Sequence, residues 1–463
     1  MAKMFTSPAY LYFVVSPSGK PVLVHRDGSV EEDASRFAGV AATARALLSF
    51  SQSKFRGPLR VFESAGRRFH FLEGPPLAFL AVTDRSMAAV VTKTRLALLY
   101  AQLVGLFTLP ALHGIYAAQP GYDLRRLLAG SGDRMLGTLI TGFGTRPCSF
   151  LGAVAVRVMG VERRQQVRKV LEGAVGMTGS AFGMVFDGAG RLVSFVSAIS
   201  GTAGRFRRSM RTGLGAWDLI LLENLCRAVG QAETVLSVCL PCFDSRGNFY
   251  AYVLQRDGCT TVMLSGTEIA DVEVFRRVSS AVLDASCESY GDVTDGEGGD
   301  EEEGASMMYG YPRVNVIFKN SRTNQYVTNG ACPPCTGGLQ EVLRRYACMR
   351  AGMFAHDGVD APVAEQLLDS LQNPNRGKAA KPCRPSHAFR VEYVGGMAYV
   401  AFASVDAELY VAMDVQRSIS GGEMVSGDDA SEDERQARAV EVATSLRAHL
   451  VRQSPRFFFE CAV

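Results

Sequence analysis

Short apolar runs alternate with helical patterns in the first third of the chain. Strand-like runs at residues 9–16 and 21–25 are separated by the turn sequence PSGK, and a Pro/Gly turn between two apolar runs predicts a β-hairpin. A helical pattern over about residues 31–53, three strand-like runs between residues 59 and 83, and a long apolar helix over 85–107 follow. This order predicts a small α+β domain with one antiparallel sheet.

The first of these helices has an unusual outer face. Five residues recur at helical spacing and predict its buried stripe: Phe37, Val40, Ala44, Leu48 and Ser51. At 3.6 residues per turn, the opposite face consists of small residues with one aromatic beside them: Ser35, Gly39, Ala42, Ala46, Ser49 and Phe50. Arg45 is the only charged residue from Phe37 to Ser53, whereas a solvent-facing helix normally carries charges. We therefore expect a protein partner on this face; an Ala-rich helix facing solvent is the alternative.

The same order of strands and helices returns twice. A second unit starts with a strand-like run at 149–157, and a third ends with a helix near 432–452. The stretch 291–304 between them is acidic and glycine-rich, so we expect it to be a disordered linker. We predict an α+β protein of three units, each a five-stranded antiparallel sheet flanked by helices. Their predicted limits are 1–115, 146–285 and 309–463, with a helical linker at 116–145 and an acidic linker at 286–308.

Composition narrows the class of protein. Hydrophobic residues make up 47% of the 463 residues and charged residues 21%, so general disorder is excluded. A net charge of +3 removes the strongest reason to expect nucleic acid as a partner. The eleven cysteines are scattered, and residues 1–7 lack the apolar core of a signal peptide, which together favour the reducing cytosol.

One uncharged segment needs a test as a membrane span. Residues 96–122 contain no Asp, Glu, Lys or Arg. Pro110, His113 and Pro120 interrupt the segment, and its strongly apolar part is only about 14 residues long, which is short of the ~20 that a membrane helix needs. We interpret it as a buried helix.

Catalytic motifs are missing from the sequence. No P-loop, HExxH, GxSxG or Rossmann glycine pattern occurs in a suitable context, so we predict no catalytic residues, no cofactor and no metal. The pairs Cys239/Cys242 and Cys332/Cys335 have a spacing that can bind zinc, but neither has a nearby histidine. We interpret them as buried small residues and part of a Pro-rich loop.

Two arginine clusters are the distinct electrostatic feature. Three arginines fall on the first helix of the second unit: Arg163, Arg164 and Arg168. Four more fall in a Gly/Ser-rich loop: Arg205, Arg207, Arg208 and Arg211. Clusters of this kind bind anionic lipid head groups, so we take a membrane contact as a hypothesis. A solvated basic face is the alternative.

Several segments resemble one known family. The sequences YDLRRLLAGSGD (122–133), SFLGAVAV (149–156), AFGMVFDGAGRLVSFV (181–196) and VCLPCFDSRGNFYAYV (238–253) closely resemble the vacuolar fusion protein Mon-one family. In the first unit, FLEGPPLAFLAVT (71–83) and RLALLYAQLVGLFT (95–108) look like the first longin domain of that family. The resemblance covers about residues 18–283.

The resemblance implies a function as well as a fold. It implies a protein of three longin domains that forms a heterodimer with a Ccz-one-like longin protein through the first longin domains. The pair would exchange nucleotide on a Rab-seven-type GTPase, in endosome maturation and fusion with the vacuole. It would be cytosolic and recruited to the anionic membrane of the late endosome or vacuole. A longin-type adaptor or tether subunit without exchange activity is the alternative.

Overall fold

The structure is a computed structural model of the 463-residue chain. It describes residues 10–26, 34–55, 58–198, 214–287, 314–330, 338–355, 387–415 and 431–458, with short pieces at 364, 367–368, 371, 418–420 and 423–425. The predicted acidic linker and the arginine loop at 205–211 lie outside these residues.

The first sheet is built from five short strands. They are β1 (Leu11–Val15), β2 (Pro21–Arg26), β3 (Val61–Ser64), β4 (Arg67–Gly74) and β5 (Leu77–Asp84), in the antiparallel order β2-β1-β5-β4-β3. A turn of 3-10 helix (Ala34–Phe37) leads into α1 (Ala38–Phe55), which covers one face of the sheet. The other face is covered by α2 (Ala89–Phe107).

Helix α2 lies at the centre of the molecule. It packs on β4 and β5 of its own sheet and also contacts elements of the rest of the chain. It is the one helix of the described residues with the length and apolar character of a membrane span, and 78% of that apolar stretch is buried inside the fold. The burial agrees with the sequence-based interpretation of a core helix.

Short helices connect the first sheet to the second. They are α3 (Leu109–Ala118), α4 (Arg125–Leu128), α5 (Ser131–Gly142) and α6 (Cys148–Leu151), followed by the two-residue strand β6 (Val154–Ala155). Gly152 ends α6 in the left-handed conformation, with φ of 61°, which glycine adopts without steric penalty. Helix α5 packs against both α2 and the second unit.

The second sheet repeats the order of the first. Its elements are α7 (Val161–Thr178), β7 (Phe182–Phe186), β8 (Leu192–Ser197), α8 (Ala216–Ala228), β9 (Glu233–Leu240), β10 (Asp244–Arg256), β11 (Cys259–Ser265) and α9 (Val272–Cys287). The strand order is β8-β7-β11-β10-β9, again antiparallel. Helices α7 and α9 pack together on one face, and α8 packs on the other.

The third sheet has six strands. The elements are β12 (Asn315–Asn320), β13 (Gln325–Thr328), α10 (Leu339–Ala355), β14 (His387–Val394), β15 (Met397–Ser404), β16 (Ala407–Asp414), β17 (Ser418–Ser420), β18 (Glu423–Val425) and α11 (Glu432–Phe457). The order is β14-β15-β16-β12-β13-β6, and β17 pairs only with β18. The predicted α+β class with three sheets flanked by helices is confirmed: the third unit contributes five antiparallel strands, and β6 adds a sixth from outside that unit.

The sixth strand comes from the segment predicted to start the second sheet. Residues 148–151 are helical, and β6 instead pairs in parallel with β13. The amides of Val154 and Val156 donate to the carbonyls of Asn324 and Tyr326, each over 2.9 Å. Val156 also forms a bridge to Leu192 of β8. The segment thus joins the second and third sheets. The alternation of apolar residues predicts a strand, but it does not show which sheet edge that strand pairs with.

A buried ionic cluster fixes this segment to the third sheet. Glu408 accepts from Lys319 Nζ over 2.9 Å, from Arg350 Nε over 2.7 Å and from the hydroxyl of Tyr410 over 2.7 Å. Lys319 also donates to the carbonyl of Leu151 over 2.8 Å, and Arg350 to that of Phe150 over 3.1 Å. Burial alone would raise the pKa of Glu408, but Arg350 and Lys319 outweigh it and hold the pKa far below its usual range.

Candidate functional site

The outer face of α1 is open to solvent. This face, defined by the six residues that the sequence singled out, is exposed at every position: Ser35, Gly39, Ala42, Ala46, Ser49 and Phe50. Phe50 is 53% exposed. The buried stripe consists of Phe37, Ala41, Ala44, Leu48 and Ser51. Val40 was predicted to belong to this stripe, but it is only partly buried, and the neighbouring Ala41 is buried instead. The structure brings the predicted interface residues together; whether a partner binds them stays a prediction.

The underside of α1 is held firmly on the first sheet. Phe37 packs edge-on against Phe13 of β1, with ring centroids 5.6 Å apart. At the end of the helix, Gln52 donates to the carboxylate of Glu73 on β4 over 2.7 Å. Gly19 in the β1–β2 turn has φ of 81° and lies so close to Ala42 that a Cβ there would be 3.4 Å from the Ala42 Cα. The outer face is therefore presented by a rigid element.

Two exposed apolar residues extend this face beyond the prediction. Leu47 is exposed, and Phe55 at the end of α1 is 74% exposed. The ring of Phe55 contacts that of Phe50 edge-on, with centroids 6.0 Å apart. Phe55 was missed because the predicted helix ended near residue 53, whereas α1 continues to Phe55. Residues 34–55 contain no acidic side chain. The outer face therefore consists of small and apolar residues and is weakly basic.

The helices equivalent to α1 in the other two units are covered on both sides. Each follows the second strand of its sheet. In α8 only Arg227 is exposed, and in α10 only Gln340 among the side chains that the structure describes. Asn224 of α8 donates to Gln102 of α2 and to the carbonyl of Met135 in α5, both over 2.9 Å. Helix α2 of the first unit and helix α5 of the connection thus cover α8, and α2 also packs on α10. Among the three, α1 has the open outer face.

One of the predicted membrane-binding residues is buried. Arg164 is 8% exposed and donates to the carbonyls of Arg157 and Phe457 over 3.1 and 3.2 Å. Burial lowers its pKa to about 10. The membrane prediction for Arg164 is therefore wrong. Its spacing to the buried residues Val167 and Leu171 places it on the core side of α7, a signal that the sequence contains.

The other predicted basic residues have different surroundings. Arg163 is half-buried. Arg168 is exposed and forms an ion pair with Glu172 one turn further on, over 2.9 Å. Residues Arg205, Arg207, Arg208 and Arg211 lie outside the described residues. Of the predicted basic surface, Arg163 and Arg168 are therefore the accessible arginines that the structure describes.

The buried thiols and histidines are held in neutral form. Cys239 and Cys242 are buried, and burial raises the pKa of the Cys239 thiol. His70 contacts the Thr83 hydroxyl over 3.1 Å, and burial lowers its pKa to about 4. No cluster of three or more His, Cys, Asp or Glu residues occurs within the described residues; Cys332 and Cys335 lie outside them.

Comparison with known proteins agrees with this geometry. Residues 10–138 match the family described as the first longin domain of FUZ, MON1 and HPS1, which makes this a longin-domain protein. The chain is 32% identical over 261 residues to vacuolar fusion protein MON1 homolog B of Homo sapiens, covering 55% of this chain and 45% of the relative. It is 30% identical over 264 residues to MON1 homolog A of Gallus gallus, covering 56% and 44%.

The matches agree with the resemblance to MON1 vacuolar fusion proteins that the sequence motifs indicate. The chain spans about 45% of the length of the curated relatives that it matches.

Proposed function

We propose that this protein is a longin subunit of a heterodimeric guanine nucleotide exchange factor in vesicle traffic to the vacuole or late endosome. Its substrate would be a Rab-seven-type GTPase, and its partner a Ccz-one-like longin protein. The observation that carries the proposal is the open outer face of α1, whose counterparts α8 and α10 are covered within the same chain. Since no part of the described chain covers the outer face of α1, a surface that covers it must come from another protein.

The chemistry of the face suits a tight protein contact. Glycine, alanine and serine side chains allow two backbones to approach closely, and the neighbouring Phe50, Leu47 and Phe55 offer apolar area to bury. The face carries no acidic residue, so an apolar partner surface with an acidic rim fits it best.

Nucleotide exchange needs no catalytic side chain. A factor that binds the nucleotide-free GTPase more tightly than the loaded one shifts the equilibrium toward release of GDP. Displacement of a switch loop by a complementary surface is sufficient. This mechanism agrees with a chain in which we predict neither cofactor, metal nor catalytic residue.

The decisive experiment measures nucleotide release. The purified complex of this chain with its longin partner should accelerate the loss of a fluorescent GDP analogue from a Rab-seven-type GTPase, and should not act on an unrelated Rab. Should a stable complex form and leave the release rate unchanged, the second candidate holds: an adaptor or tether subunit. Failure to form any complex would contradict both.

A membrane contact through the basic surface is a separate prediction. Each basic residue near an anionic membrane contributes ~1 kcal/mol, so changing Arg163 and Arg168 together with the arginines of the 205–211 loop to Glu should release the complex from acidic liposomes in flotation. Arg164 is left unchanged because it is buried. The control changes two exposed arginines elsewhere, Arg85 and Arg322, to Glu. Equal flotation of both variants at physiological salt would refute the contact.

A further inference from the structure

A cavity lies where the second and third sheets meet the segment that joins them. Its volume is about 230 Å³, room for roughly seven waters at the ~30 Å³ that each occupies in the liquid. The residues that matter for its chemistry are Arg146, Arg191, Glu223, Arg227, Tyr326 and Leu343. They come from the α5–α6 connection, the β7–β8 turn, α8, β13 and α10, so one ligand would contact parts of the chain that are far apart in sequence.

Positive charge exceeds negative charge among the lining residues. Three guanidinium groups lie near two carboxylates, Glu223 in the lining and Asp187 beside Arg191, which leaves an excess of one positive charge. Glu223 forms ion pairs with both Arg146 and Arg227. Arg191 pairs with Asp187 over 2.8 Å, and that carboxylate is fully buried behind the turn. Burial raises the pKa of the Cys148 thiol, also in the lining, to about 11, so it adds no negative charge.

Tyr326 supplies a second, independent observation. Its side chain is 4% exposed and lines the cavity, yet no hydrogen bond joins its hydroxyl to the described residues. Burial holds the pKa of the hydroxyl well above its usual value, so the group is a proton donor at physiological pH. The hydroxyl opens onto the cavity and has no acceptor on the described part of the protein, so it is available to donate to an acceptor atom of a molecule bound there.

We propose that the cavity binds a small phosphate-bearing molecule. Arginine matches phosphate oxygens with paired N–H donors, and several arginines together favour phosphate over a lone carboxylate. The Tyr326 hydroxyl donates to a further oxygen, while Ile220 and Leu343 pack against the carbon skeleton. The ligand is either the head group of a phosphorylated lipid or a free phosphate ester, and its binding holds the second and third units against the α5–α6 connection.

Thermal unfolding of the purified full chain tests the site. Inorganic pyrophosphate and inositol trisphosphate should each raise the unfolding temperature in a saturable way, because a ligand that binds only the folded state stabilises it. Sodium chloride at equal ionic strength is the salt control, because chloride lacks the oxygen acceptors of a phosphate group. Sedimentation with phosphatidylcholine vesicles, with and without phosphatidylinositol phosphate, distinguishes the sources: binding to the phosphorylated vesicles identifies a head group, and binding of the soluble compounds alone identifies a free ester.

A matched pair of variants isolates the hydroxyl of Tyr326. Tyr326→Phe should weaken binding roughly tenfold or more, the effect of losing a hydrogen bond to a charged group, without lowering the unfolding temperature of the free protein. The control is Tyr116→Phe at a residue with the same 4% exposure, whose buried hydroxyl has no hydrogen-bond partner among the described residues and does not line the cavity. The proposal is overturned by a shift no larger than that in sodium chloride, or by equal affinities of the two variants.

Discussion

Replacing Glu408 by Gln should lower the stability of the folded chain by about 3–5 kcal/mol, the usual loss when one partner of a buried ion pair is removed. The substitution keeps the size of the side chain and removes only its charge. Lys319 and Arg350, both mostly buried, would then lie beside a neutral amide in a medium that solvates charge poorly. Chemical unfolding followed by circular dichroism measures the change.

An exposed ion pair next to the start of β16 provides the control. Asp406, two residues before Glu408, pairs with Arg322 over 2.7 Å, but both side chains are exposed. Solvent and salt weaken exposed pairs, so Asp406→Asn should leave the unfolding midpoint unchanged. Equal midpoints for Glu408→Gln and Asp406→Asn would show that the buried cluster adds nothing to stability.

The pH dependence follows from the lowered pKa of Glu408. The unfolded chain binds a proton at this carboxyl near pH 4.3, whereas Arg350 and Lys319 keep it ionised in the folded chain to much lower pH. Its stabilising contribution is therefore complete above about pH 5 and declines as the pH falls below the unfolded-state pKa. The stability difference between wild type and Glu408→Gln should shrink in the same range.

The sequence predictions that the structure confirms depend on local patterns of residues. The buried stripe of α1 depends only on spacing within one helix, so Phe37, Ala44 and Leu48 were identified correctly. The order of strands and helices likewise follows from turns and apolar runs, and it gave the three sheets. Arg164 was misjudged although its spacing to Val167 was readable, because charge was weighed before position on the helix.

Contacts between distant parts of the chain could not be predicted in this way. Strand β6 has two residues, too few for a periodic pattern, and its partner β13 lies about 170 residues further on. The Lys319 ammonium meets a carbonyl 168 residues away in sequence. The cavity depends on side chains from five separate elements. None of these arrangements leaves a signal in local composition or spacing.

Changing Ala42 and Ala46 together to Glu should abolish binding of the longin partner while the chain stays folded. Both alanines are exposed on the outer face of α1, and Glu has nearly the helix propensity of other good helix formers. Their carboxylates would enter an apolar contact, and each unpaired polar group buried there costs about 1–3 kcal/mol. The affinity should therefore fall roughly 100-fold or more, with loss of accelerated GDP release.

The matched control places the same two substitutions on another helix. Ala437 and Ala448 are exposed on α11, eleven positions apart and so on one face of that helix, and the structure gives no reason to expect a partner there. Ala437→Glu with Ala448→Glu should leave both assembly and exchange unchanged. If the α1 variant assembles and exchanges nucleotide as well as the α11 variant, the outer face of α1 is solvent-facing and the partner binds elsewhere. If it assembles but no longer releases nucleotide, the face contacts the GTPase instead of the partner, because a covered α1 could not accept two buried carboxylates without weakening the complex.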